Sequence, residues 1–492
     1  MNKIFLALIV LTLVSCTNKT EFKYRLPASG HSLESLEGII DSLSEAVTTP
    51  VNSSTRCSSE LERYYKALYN LDGNSIDLDK LDKKRVLDLV NKSFESRLEI
   101  RSKLKDLSLN TKEDETCLVH VRATVRALRY VEDYLVELND HRINQGEEVE
   151  FTTLKGEAPY FLVNKNINFK GVQDLRGGDV ILSRGNAYTS AAIARIGSVD
   201  AQFSHLSLVH EDEKGNLYTS EAHIEVGSLG EPIQTHIEQG NARTVVFRFK
   251  DRDIAKRAGA IMYKRVRGAQ VKKKNIRYDF GMDYKDNKDL FCSEIIYDGF
   301  RQASNGELDV PVFKTKFNRG SIPFLQKLGI KVNQENVDDF ETFGPGDIEF
   351  DPRFELIAEW RNPARMKDTR SKDLILTKLF EWMETKDYEF RPPGKIKRKA
   401  WFSWVMRRTP LIGLALKDKF PKYMTKDQLR LFLHLDEVAE VLNERIEFVQ
   451  NDIDRPLTPK EIFSILEQFR EEDFARYEDK PKKSRFHRYF HP

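Results

Sequence analysis

Cysteine is scarce in this chain. Four occur in 492 residues, at positions 16, 57, 117 and 292, and no two are close enough to act as a ligand pair for zinc. The ten histidines are scattered and form no helical metal pair. A metal site is therefore not expected, and neither is an organic cofactor. Glycine forms no phosphate-cradling loop: Gly177-Gly178 and Gly344-Pro345-Gly346 read as turns. Net charge is nearly absent, at +2, so nothing global points to a nucleic-acid partner. After residue 14 no apolar run is long enough to span a bilayer. No internal repeat or low-complexity tract is visible.

What is present is a soluble globular composition, 40% hydrophobic and 32% charged, too long for one core. The chain opens with Met1-Asn2-Lys3, an apolar run from Ile4 to Val14, and then Ser15-Cys16. This is the pattern of an export signal, and its end resembles the bacterial lipobox. Lipidation of Cys16 would tether an otherwise soluble protein to a membrane. Thr17 after that Cys favours the outer membrane of the bacterial cell envelope, facing the periplasm. In such an oxidising compartment Cys57 and Cys117 are expected to form a disulfide, the alternative being two free buried thiols. Cys292 is then left as an unpaired, reactive thiol.

Along the chain the signal occupies 1–15 and a linker from the lipidated Cys 16–30. Apolar residues at helical spacing, such as Ile39, Ile40, Leu43 and Val47, predict a helical bundle over 31–150, whose alternating charges read as solvated faces. Residues 151–310 change texture. Short β-rich runs at 180–182, 205–210, 217–223 and 244–249 meet two amphipathic helices, one capped by Asp251 and one over 293–303. This is an α+β domain. Residues 311–370 read as a loop-rich connector packing on that domain, 371–479 as a C-terminal helical region, and 480–492 as a basic, flexible tail. Lys395–Arg408 is basic and aromatic. Its tryptophans are expected to dock on the catalytic domain, with an anionic membrane surface as the alternative.

Three segments carry chemistry. In Phe203-Ser204-His205-Leu206-Ser207-Leu208-Val209-His210, strand alternation puts His205 and Ser207 on one face and Leu206 and Leu208 on the core face. His210 points away from His205, so the two cannot share a metal. In Tyr218-Thr219-Ser220-Glu221-Ala222-His223, either Glu221 or His223 would reach His205 across a hairpin and fix its tautomer. In Phe291-Cys292-Ser293-Glu294, the Cys begins a helix, where free N–H groups favour a thiolate and would receive an oxyanion.

Together with Gly178-Asp179-Val180 and Tyr278-Asp279-Phe280, these segments resemble the circularly permuted branch of the NlpC-type papain-like cysteine hydrolases, the YiiX/YebB-like group. There the His strand precedes the Cys helix, as here. The resemblance covers Leu175 to Ala303. It implies a permuted papain-like antiparallel sheet with a Cys-bearing helix, flanked here by N- and C-terminal helical regions. It also implies Cys292 as nucleophile, His205 as base and Glu221 as the orienting residue, with His223 the rival for that third role. Tyr278 and Ser204 would line the pocket or help hold the oxyanion. The implied substrates are amide bonds of peptidoglycan peptides. Permuted relatives such as lecithin retinol acyltransferase use lipid acyl groups, which leaves a lipid substrate, or a catalytically silent lipid- or peptide-binding cleft, as alternatives.

Overall fold

Runs such as Val180-Ile181-Leu182 and Thr244-Val245-Val246-Phe247 are apolar on both faces, which suits strands covered on both sides. In the computed structural model, which describes residues 33–48, 54–106, 112–142, 152–197, 200–409, 413 and 420–492, they lie at the middle of a seven-stranded sheet. The expected signal, linker and lipidation site Cys16 lie outside the described residues. The strands are β1 (Phe161–Val163), β2 (Asp179–Arg184), β3 (His205–Glu211), β4 (Leu217–His223), β5 (Gly227–Pro232), β6 (Arg243–Phe249) and β9 (Phe354–Arg361). Their order is β1-β9-β6-β2-β3-β4-β5, and every pair is antiparallel. Two short ladders stand apart: β7 (Thr315–Lys316) with β8 (Glu341–Thr342), and β10 (Glu389–Phe390) with β11 (Phe490–His491).

The segment 311–370 does more than connect. It supplies β9, which joins β1 to β6 inside the sheet. Its sequence, Phe-Glu-Leu-Ile-Ala-Glu-Trp-Arg, hides the strand because Glu359 and Arg361 look solvent-facing, yet both are fully buried.

Those two charges belong to a network that also corrects the solvated-face reading of the N-terminal helices. These are α1 (Leu36–Thr48), α2 (Ser54–Tyr69), α3 (Lys83–Ser102) and α4 (Lys112–Arg142). Arg97 of α3 donates to Glu132 of α4 at 2.8 Å and to Glu359 of β9 at 2.7 Å. Arg361 donates to Asp133 at 2.7 Å and also to Glu132. Arg243 of β6 and Arg184 of β2 pair with Asp373, at 2.6 and 2.7 Å. Asp373 lies on α10 (Pro363–Lys386). Charges this deep are tolerated only when paired and hydrogen-bonded. Here the partners lie far apart in sequence, which local charge alternation does not reveal.

The remaining helices are α5 (Tyr188–Arg195), α6 (Ile233–Ile237), α7 (Arg252–Val271), α8 (Cys292–Ala303), α9 (Ile322–Leu328), α11 (Gly394–Met406), α12 (Lys426–Gln450) and α13 (Pro459–Asp479). Helices α7 and α8 cover the Leu206/Leu208 face of the sheet; the Cβ of an alanine at Gly299 would come 3.1 Å from Leu208. Among the described residues no helix is long and apolar enough to cross a membrane. Cys117 is disulfide-bonded and Cys292 is free; the side chain of Cys57, the expected partner, lies outside the described ones.

Two expectations for the C-terminal part are corrected, the second in part. The tail is ordered into the core: Phe486 and Phe490 are fully buried, and Asp473 accepts from the backbone N–H groups of Arg485, Phe486 and His487. Apolar residues spaced among the basic ones outweigh the solvation of those charges. Of the tryptophans in α11, Trp404 docks as expected against Ile224 and Phe280 of the catalytic domain, whereas Trp401 does not and stays 56% exposed, beside Phe402 at 58%.

Candidate active site

The site is assembled at the start of β3. Ser204 N–H donates to Ser183 O at 3.0 Å, which sets His205 opposite Ser183 in the β2 register. The hydroxyl of Ser204 accepts from Gly185 N–H at 3.4 Å, so it finishes the strand end. The pleat then puts His205, Ser207 and Val209 on one face. Val209 is opposite Thr219 on β4, so Thr219, Glu221 and His223 share that face. His210 points the other way and stacks on Tyr263 of α7 with ring centroids 4.7 Å apart.

Glu221 is the hub. Its Oε2 lies 3.0 Å from His205 Nε2 and 2.9 Å from His223 Nε2. Its Oε1 accepts from Thr219 Oγ1 at 2.6 Å and lies 3.0 Å from His236 Nδ1. The carboxylate therefore holds both histidines that the sequence brought near it, and a third that it did not. His236, fully buried on α6, also lies 3.3 Å from Ser207 Oγ. Nothing local signalled it, because a five-residue helix gives no periodic pattern to place it. Burial opposes ionisation of Glu221, but the three imidazoles hold its carboxyl well below the usual range. Burial also opposes protonation of His223, yet the bond to Glu221 raises it on balance.

Cys292 is the first residue of α8, as expected. The turn before it is pinned: Leu290 N–H donates to Arg277 O at 2.9 Å, and Asp279 N–H to Leu290 O at 3.3 Å. Glu294 caps the helix start by accepting from Phe291 N–H at 2.8 Å. Burial pushes that carboxyl up to about 10, so at neutral pH the cap adds no negative charge beside the thiol. Tyr278 is buried near the thiol, and burial followed by the charge of Cys292 holds its phenol well above its ordinary value. Tyr423, just ahead of α12, anchors that loop by accepting from Tyr278 N–H at 2.6 Å.

Electrostatics overturn the expectation of a resting thiolate. Cys292 is only 3% exposed, and burial pushes its thiol up to about 11, against the backbone N–H of Leu206 and the helix start, which favour the anion. Burial likewise drives His205 down to about 4, against the pull of Glu221. Desolvation outweighs the helix N-terminus here. At neutral pH the resting groups are a neutral thiol, a neutral imidazole and a carboxylate. The thiol lies against Leu206, the chain neighbour of His205. Among the described residues no hydrogen bond joins the thiol to either ring nitrogen. With Nε2 of His205 taken by Glu221, Nδ1 is the nitrogen left for it.

Beside Tyr278 an apolar pocket runs between Ile224, Phe280, Ile193 of α5, Phe324 of α9 and Phe432 of α12. The C-terminal helical region thus helps wall the site. One further property was not foreseen. Ligand atoms of His205, Glu221 and His223 all lie within 4.8 Å of one another, a spacing that could hold a metal ion.

Residues 174–319 match the family described as permuted papain-like amidase enzymes, YaeF/YiiX, C92 family. A solved structure, that of the metalloprotein yiiX from Escherichia coli O157:H7, is similar at 19% identity and a TM-score of 0.28, over 38% of this chain and 98% of that one. No curated protein matches the chain. Pinned turn, Cys-led helix and His strand all fall inside the matched segment, which is a permuted papain-like cysteine hydrolase domain set between helical flanks.

Proposed function

We propose that the chain is a cysteine hydrolase of the bacterial cell envelope, anchored through lipid on Cys16, on the periplasmic face of the outer membrane. Its substrates are amide bonds of peptidoglycan peptides. The observation that carries this reading is the placement of Cys292, at a helix start and against the backbone N–H of Leu206, whose chain neighbour His205 has its Nε2 held by Glu221.

In this reading the Cys292 proton passes to Nδ1 of His205 as sulfur attacks the carbonyl carbon. The C=O electron pair moves onto oxygen, where the N–H groups at the start of α8 receive it. Collapse restores the C=O, breaks the C–N bond and leaves a thioester, while the imidazolium protonates the departing amine. Water, deprotonated by the same imidazole, then releases the acid and regenerates the thiol. Glu221 fixes the ring and supports the imidazolium. Because thiol and imidazole rest neutral, the ion pair forms during attack.

The test is to incubate the protein with peptidoglycan fragments and, separately, with phospholipids, and to follow products by mass. New amine and carboxyl ends on the peptides, absent with Cys292→Ala and His205→Ala, are expected. Products from lipid alone would move the substrate to a lipid ester or amide, and no product from either would leave the silent binding cleft.

The spacing of His205, Glu221 and His223 favours a second reading, a divalent-ion site built on the same donors. Zinc recovered stoichiometrically with the purified protein, lost in His223→Ala and kept in Cys292→Ala, would support it over the thiol mechanism.

A further inference from the structure

We infer that α11 is a docking element for an anionic phospholipid bilayer. This rests on the face of that helix and is independent of the hydrolytic reading. Residues 394–409 contain six cations (Lys395, Lys397, Arg398, Lys399, Arg407 and Arg408) and no Asp or Glu. Helical geometry sorts them. Ile396, Ala400 and Arg407 point inward and are buried. The outward face centres on Arg398, with Trp401 and Phe402 on either side of it. Lys397 and Arg408 lie along one flank, Lys395 and Lys399 along the other.

Three large aromatics are more than half exposed among the described residues, and two of them are these neighbours, Trp401 and Phe402; the third is Phe448. Large aromatics left in water next to unopposed cations need a surface that takes both. Lys397 and Arg398 have no ion pair among the described residues, whereas Lys395 lies 3.7 Å from Glu437 and the charge of Lys399 acts on Asp436. A bilayer with anionic headgroups matches the pattern. The rings enter the interface, while the lysine and arginine stems reach up to phosphate.

The inner side of the same helix ties this face to the site. Ala400 and Trp404 belong to an apolar cluster that includes Ile224 and Phe280, which also border the pocket beside Tyr278. A bilayer bound on the outer face of α11 is thus one helix thickness from that cluster.

Tryptophan quenching by brominated acyl chains tests this with the full chain, whatever its N-terminal anchor does. In vesicles rich in phosphatidylglycerol, brominated lipid should quench a component of the emission that is absent in phosphatidylcholine vesicles and fades with added salt. Trp401→Phe should lose that component. The double variant Lys397→Glu/Arg398→Glu, on exposed positions, should lose the preference for phosphatidylglycerol at unchanged thermal stability. Quenching that is the same in Trp401→Phe, equal in the two lipids, or absent from both overturns the inference. So does a soluble protein partner that covers Trp401 while vesicles do not.

Discussion

Oε2 of Glu221 sits 3.0 Å from Nε2 of His205, on the next strand of the sheet and sixteen residues later in the chain. The contact orients the imidazole and leaves its other nitrogen free to move a proton. Replacing the carboxylate by an amide keeps the shape and removes the charge that would balance an imidazolium. Glu221→Gln should lower kcat by about 10²–10⁴-fold with little change in KM. Steady-state kinetics would check it, and an unchanged kcat would remove Glu221 from the mechanism.

Because burial holds the Cys292 thiol at about 11, its reactivity should follow the small thiolate fraction. Alkylation by iodoacetamide should climb about tenfold per pH unit from neutrality upward, with no plateau near pH 7. A rate already flat at neutral pH would mean that the resting thiol is ionised.

Acid should weaken the fold through the same cluster. His205 falls from 6.5 to about 4 on folding, and Glu221 also falls below its ordinary value. For both groups the unfolded chain binds the proton first, so stability present at neutral pH is lost as pH falls, for His205 between 6.5 and about 4. His223 has the opposite sign. Its folded value is raised, so its contribution is present below 6.5 and declines as pH rises through the raised value. Melting temperatures of wild type and His205→Asn across pH 4–7 should converge toward pH 4.

The buried ion network predicts a large penalty for stranding one partner. Glu359 accepts from Arg97, Arg129 and Arg361, all of them at or near zero exposure. Glu359→Ala should cost about 3–5 kcal/mol, read by denaturant unfolding. A loss of less than about 1 kcal/mol, the scale of exposed pairs, would show that water screens the network.

The tail makes a parallel case. Phe490 is fully buried and pairs through β11 with β10, so Phe490→Ala should destabilise by about 3–5 kcal/mol. A neutral result would return the tail to a loose end.

What the sequence revealed was local. Alternation marked β3, the hairpin return marked β4, continuous apolar or β-rich runs marked β2 and β6, and a capping Asp251 marked α7. The side chains of Cys292, His205 and Glu221 stood out because each sits at an element end or on an alternating strand. What it concealed depended on distance along the chain. β9 was missed because its charges find partners on α3 and α4, more than two hundred residues away. His236 was missed because only folding brings α6 to Glu221. The helix start suggested a thiolate, and only burial, invisible in sequence, reverses that.

The family match stops at residue 319, but the sheet does not. Strand β6, inside the match, hydrogen-bonds along its whole length to β9, outside it. Arg184 and Arg243, inside, are neutralised by Asp133 and Asp373, outside. A fragment trimmed to the matched segment would carry a raw hydrogen-bonding edge and orphaned guanidinium groups in place of a finished interior. The hydrolase and its flanks are therefore one folding unit, and any insertion or truncation tolerated by this chain must spare the helices that the family likeness does not reach.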